Sequence, residues 1–249
     1  MAASESRGPP EGGPLEDRPA ILCLAGLGDG AEMFAPLRET ELAAHYRLVP
    51  IDLPGFCGRP ALEGPTTLAA LAEVVHEAAR REAARIVVAH SVASIVASLA
   101  ARRAPRVVDR IVSLEGNLTA ADAYFSGTAA DYPDPGAFRA AFLARLDALS
   151  KTQPIFGRWR ALVAQADPRA LWELGCDARR FSEAKVPGEV LREAAAVCHL
   201  YNPDNCPEAT LEWLDRNPLP RIVLAGASHW PSVEQPQLLS RAILEALAA

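Results

Sequence analysis

The residues able to do chemistry begin with a serine. Ser91 sits in Ala89-His90-Ser91-Val92-Ala93. The apolar, β-branched run Arg85-Ile86-Val87-Val88 precedes it and reads as a buried strand. The Ala-rich stretch from Val92 to Ala101 follows and reads as a helix. A hydroxyl on a sharp strand-to-helix turn is held clear of the backbone. Behind it lie the unpaired N–H groups and positive dipole end of the helix, both suited to a developing oxyanion. The usual elbow pattern is Gly-x-Ser-x-Gly, and here alanine, the next smallest residue, stands at both glycine positions. An ordinary serine in a buried turn carries the same local pattern, so the flanks must decide between the two.

A serine hydroxyl is a poor nucleophile at neutral pH and needs a base, which in turn needs a group that fixes its tautomer. Of the five histidines, His45 precedes a strand and His199 lies within one. His76 falls on a helix among Glu73, Glu77 and Arg80 and is expected to be exposed. His90 adjoins Ser91 and is expected to point away from it. His229 lies in the loop Ala227-Ser228-His229-Trp230-Pro231. Two carboxylates compete for the orienting role. Glu115 follows the apolar run Ile111-Val112-Ser113-Leu114, and Asp204 lies in Asn202-Pro203-Asp204-Asn205. A carboxylate at the end of a buried strand needs a partner to offset its desolvation.

The elements that must position these groups alternate. Strands are expected at Pro19 to Ala25, Leu48 to Leu53, the run before Ser91, Val107 to Leu114, Ala194 to Tyr201 and Pro220 to Ala225. Thr67 to Ala84 spaces Leu68, Leu71, Val74 and Val75 as an amphipathic helix, and Val233 to Leu247 reads as a closing helix. Such alternation implies a mostly parallel, doubly wound α/β sheet, whose ligands bind at the carboxyl ends of the strands. Ser91, Glu115 and His229 each fall just past such an end. Between Asn117 and Gly188 the pattern changes to helical pieces joined by Pro, Asp and Gly.

Four segments, in order, resemble the α/β-hydrolase superfamily. They are Ile21 to Gly28, Tyr46 to Gly55, the Ser91 elbow and Arg221 to Trp230. The resemblance implies the α/β-hydrolase fold, with a core at residues 19–116 and 189–249 and an inserted helical cap at 117–188. It implies that His229 is the general base and that the backbone N–H groups of Leu27 and Val92 form the oxyanion hole. Gly26, Trp230, Phe125 and Trp159 are then expected to line a substrate pocket. The acid most often follows the penultimate strand, where Asn205 takes its place and Asp204 is one residue off. A second arrangement puts it after the sixth strand, where this chain has Glu115. The implied reaction is hydrolysis of a small, largely apolar ester, thioester, lactone or β-diketone-type substrate, without cofactor or metal. Acyl transfer, lyase or cyclase chemistry on the same site stays open. So does a homologue that binds a small molecule without turnover.

Composition agrees with a globular protein. Half of the 249 residues are hydrophobic, and a net charge of -6 argues against nucleic-acid or anionic-membrane partners. The five cysteines form no Cys-x-x-Cys pair, which suggests reduced thiols in a cytoplasm. Residues 1–18 are rich in Gly, Pro, Ser and Glu over most of their length and are expected to form a disordered tail.

Overall fold

A computed structural model describes residues 14–103 and 106–248. Most of the expected tail lies outside the described residues, and the part within them carries a 3₁₀ turn at Leu15–Asp17. Among the described residues, six strands form one sheet: β1 (Ala20–Leu24), β2 (Arg47–Ile51), β3 (Ile86–His90), β4 (Arg110–Leu114), β5 (Ala196–Tyr201) and β6 (Arg221–Val223). Their spatial order is β2-β1-β3-β4-β5-β6, and all five pairings are parallel. Every carboxyl end therefore lies along one edge of the sheet.

The central strands are buried because helices cover both faces. Val87, Val88 and Ala89 of β3 have no solvent exposure. Full burial of a valine side chain contributes ~1.5–3 kcal/mol. Helix α1 is a single turn (Leu42–His45), and α2 (Leu68–Arg81) starts where the Thr67 side chain accepts the Ala70 N–H. The apolar stripe of α2 packs inward, and α3 (Ala93–Arg103) lies beside it. His76 is also buried, contrary to the expectation that it faces solvent, because α2 packs against α3 and the later helix α6 (Pro168–Ala184).

The chain between β4 and β5 is helical. Two 3₁₀ turns (Ala120–Ala123 and Ser126–Asp131) lead into α4 (Pro135–Ser150), α5 (Pro154–Val163), α6 and α7 (Pro187–Ala194). Their starts are written in the sequence: each of these four helices has Pro in its first turn. Asp134 and Asp167 cap α4 and α6 through the amides of Ala137 and Ala170. Helix α7 spans the boundary expected at residue 188. After β5 come α8 (Glu208–Arg216), β6, the short α9 (Pro231–Glu234) and α10 (Pro236–Ala248). Pro236 divides what periodicity reads as one closing helix, because proline has no N–H to continue the ladder. Among the described residues, no helix is long and apolar enough to cross a membrane.

Candidate active site

Ser91 and Glu115 occupy equivalent places on adjacent strands. The Ser91 amide donates to the Leu114 carbonyl at 2.9 Å, and the Glu115 amide donates to the Leu200 carbonyl at 2.8 Å. Each bond extends the sheet by one step, and each residue then leaves it through a left-handed backbone, φ 55° at Ser91 and 48° at Glu115. Non-glycine residues adopt that region at a cost, and it is concentrated at functional sites. At Ser91 the reversal lets α3 begin two residues later. At Glu115 it is followed by Gly116, where a Cβ would lie 2.2 Å from Ser113 Oγ and 2.7 Å from Ser94 Cβ. Glycine alone lets β4 leave the sheet this close to α3.

His229 stands on the loop between β6 and α9. Its Nδ1 lies 3.4 Å from Glu115 Oε2. That separation is long for a hydrogen bond. The carboxylate is 8 % exposed as a residue and is held on its other side by the loop after β5. Glu115 Oε1 accepts the Asn202 amide at 2.7 Å, and Oε2 accepts Asn205 Nδ2 at 3.2 Å. The same two asparagines donate to the Ala227 carbonyl, at 2.8 and 3.1 Å, two residues before His229. Asn202 and Asn205 thus tie the carboxylate and the histidine loop together. Asp204, between them, is exposed, and its amide is taken up by the Asn202 side chain. The geometry brings Glu115, not Asp204, to His229.

His90 faces the site, contrary to the expectation that it points away from Ser91. Strand alternation stops at the end of β3, so the turn at Ser91 leaves the two side chains bordering one pocket. The His90 ring centroid is 4.6 Å from that of His229, and Nε2 lies 2.8 Å from the His229 carbonyl. A carbonyl only accepts, so Nε2 carries the proton. Burial, then repulsion from His229, holds the His90 imidazole well below its ordinary pKa, so Nδ1 is bare. No partner reaches that buried nitrogen among the described residues.

The loop after β1 passes close to the turn at Ser91. A Cβ on Gly26 would meet Ser91 Cβ at 3.0 Å and His90 Nδ1 at 3.3 Å, so any larger residue would have to push these neighbours aside by a few tenths of an ångström. The Asp29 amide donates to the Gly26 carbonyl at 3.2 Å and closes the turn. Leu27 and Val92 are both buried, and among the described residues neither amide donates to a backbone carbonyl.

One pocket gathers Gly26, Leu27, Ser91, Phe125, Trp159, His229 and Trp230, and encloses about 370 Å³ of empty space, part of it continuous with solvent. Its aromatic wall centres on Trp159, which lies 5.2 Å from both Phe125 and Trp230 between ring centroids, edge to face with the first and tilted against the second. Asp122 also borders it, but its carboxylate is taken up by the Leu118 and Thr119 amides and the Thr210 hydroxyl. The sequence reading missed His90, Asn202, Asn205 and Asp29. The asparagine spacing around the expected acid position was the visible signal for the first pair of amides. Nothing local marks the others.

Comparison with known proteins agrees with this architecture. The model described as "Alpha/beta hydrolase family" matches residues 21–242, and the chain belongs to that family. No curated protein matches the chain significantly. Among solved structures, the chain is similar to a hydrolase from Pseudomonas aeruginosa, with 22% identity, TM-score 0.69, and 94% of this chain and 91% of that one covered. It is similar to a thermophilic esterase from Thermogutta terrifontis, with 18% identity, TM-score 0.70, and coverages of 92% and 89%. It is also similar to the enol-lactonase from Burkholderia xenovorans, with 17% identity, TM-score 0.68, and coverages of 94% and 92%. At these identities the likeness is one of fold.

Proposed function

We propose that this protein is a serine hydrolase acting on a small, largely apolar carboxylic ester, thioester or lactone. Ser91 Oγ attacks the acyl carbonyl while His229 accepts its proton. Glu115 holds the imidazole in the right tautomer and offsets the charge it gains. The amides of Leu27 and Val92 stabilise the oxyanion. The tetrahedral intermediate collapses as His229 protonates the leaving alkoxide or thiolate. Water, deprotonated by the same histidine, then releases the acid and restores Ser91. The helical segment between β4 and β5 acts as a cap whose aromatic side chains receive the acyl group.

The observation that carries the reading is the approach of Glu115 Oε2 to His229 Nδ1 beside a serine in a left-handed turn, all at one edge of the sheet. The esterase and enol-lactonase similarities favour acyl cleavage over β-diketone cleavage within the range the sequence allows. A fluorophosphonate probe should label the wild type and not Ser91→Ala, with p-nitrophenyl acetate hydrolysed by the first alone. Equal labelling of both proteins rejects Ser91 as nucleophile. No labelling of either, with no ester hydrolysed, favours a binding protein on this fold.

A further inference from the structure

One buried carboxylate touches three separate parts of the site. Asp29 is 3 % exposed and lies on the oxyanion loop. Its Oδ1 accepts the Gly30 amide at 2.8 Å and Arg158 Nη2 at 2.9 Å. Its Oδ2 accepts Arg158 Nη1 at 3.1 Å and Trp230 Nε1 at 2.9 Å. Arg158 belongs to α5, and Trp230 follows His229 directly. The next residue of α5, Trp159, donates its indole N–H to the Leu27 carbonyl at 2.8 Å.

The backbone makes this arrangement consequential. A trans peptide is planar, with its C=O and N–H pointing in opposite directions. The Gly26 carbonyl and the Leu27 N–H share one such plane. The Asp29 amide fixes that carbonyl, and so fixes the direction of the Leu27 N–H, the oxyanion donor of the proposed reaction. Both oxygens of the Asp29 side chain are engaged, and removing Arg158 would leave a buried charge with neutral donors only, a costly state that the loop would relieve by moving.

We propose that Asp29 is a positioning residue for both the oxyanion loop and the His229 loop, and that Arg158 completes it, so that the site is assembled only while α5 is docked. This rests on the catalytic reading above. It assigns the helical segment a second task beside receiving the acyl group: α5 sets the oxyanion donor and steadies the base through one carboxylate.

The experiment is hydrogen exchange on Arg158→Met, which keeps an apolar stem of similar length, together with steady-state kinetics on p-nitrophenyl acetate. Amides of residues 26–30 and 228–230 should exchange about tenfold faster or more than in the wild type. The value of kcat should fall by about tenfold or more with KM within about threefold, because the lost interaction acts on the transition state. Faster exchange confined to α5 overturns the proposal, as does an unchanged kcat in an active enzyme. If the wild type cleaves no ester, the exchange result still decides the positioning role, and the failure falls on the catalytic reading alone. Should Arg158→Met not fold, the double variant Asp29→Asn with Arg158→Met removes the unpaired charge. A side-chain amide offers one acceptor oxygen where the carboxylate has two, and the tie to α5 is gone, so both loops must still exchange faster than in the wild type, and wild-type exchange there rejects the proposal.

Discussion

His90 Nε2 donates to the backbone carbonyl of His229 at 2.8 Å, joining the end of β3 to the loop that carries the proposed base. The bond spans 139 positions of sequence. It is made by a histidine that burial keeps neutral, so it does not compete with His229 for a proton. His90→Phe would keep a ring against His229 and Trp230 and lose the donor, leaving the half-buried His229 carbonyl unpaired. Such losses cost about 1–3 kcal/mol, and we expect urea unfolding to show a decrease of that size. Turnover should fall about tenfold, with little change in KM, if the bond also aligns the base. Unchanged turnover in a destabilised variant would assign His90 to stability alone.

The buried histidines also set a pH dependence. Burial, with a smaller contribution from Arg221, pushes His199 down to about 3, and its Nδ1 pairs with Ser113 Oγ at 3.1 Å. The unfolded chain binds a proton near pH 6.5, and the folded chain does not until far lower. The unfolded state therefore holds more protons between these values, and stability declines as pH falls from about 6.5 toward 3, while staying flat above about 7. His90, lowered by the same cause, acts in the same direction. Urea unfolding at pH 7, 6 and 5 should show the decline. The variant His199→Gln should lose one proton's share of it, up to ~1.4 kcal/mol per pH unit. Parallel slopes for the two proteins would mean that His199 takes up its proton over the same pH range in the folded and unfolded chains.

The two acid candidates make opposite demands. Glu115 accepts from Asn202 and Asn205 and faces His229, whereas the Asp204 side chain is on the surface. Glu115→Gln preserves shape and replaces an acceptor with a donor toward His229, which favours the wrong tautomer. Turnover of p-nitrophenyl acetate should drop by roughly 10³–10⁴, as loss of the orienting acid does in serine triads. Asp204→Asn should stay within about threefold of wild type, as an exposed substitution usually does. The reverse ranking would place the acid on the β5 loop.

Much of the scaffold could be read from local pattern. The β-branched run before Ser91, the Asp-Pro starts of α4 and α6 and the stripe of α2 each follow from forces acting within a few residues. Ser91, Glu115 and His229 could be placed together because parallel topology sends every strand's carboxyl end to one edge. What escaped was set by distant partners. The orientation of His90 depends on where the turn breaks strand alternation. The burial of His76 depends on helices that pack across α2. The Arg158–Asp29 pair joins residues 129 positions apart, and no periodicity marks that arginine of α5 for the role.

The aromatic wall allows its two tasks to be separated. Phe125 borders the pocket, with Trp159 against it at 5.2 Å and the Arg145 guanidinium 4.3 Å over its ring. It has no polar handle, so its contribution to substrate handling is shape. Phe125→Ala should enlarge the pocket and raise the preference for p-nitrophenyl octanoate over the acetate by about tenfold or more, since each accommodated methylene is worth ~1–3 kcal/mol in a hydrophobic site. Labelling of Ser91 by a small fluorophosphonate should change little. Trp159 also borders the pocket, but its indole N–H holds the Leu27 carbonyl. Trp159→Phe keeps most of the bulk and loses that bond, so kcat should fall about tenfold on acetate and octanoate alike, as expected for a loss felt mainly in the transition state. Chain-length profiles with kcat and KM for both variants test the division. If Trp159→Phe shifts chain preference and leaves kcat intact, the indole serves the pocket and not the oxyanion loop.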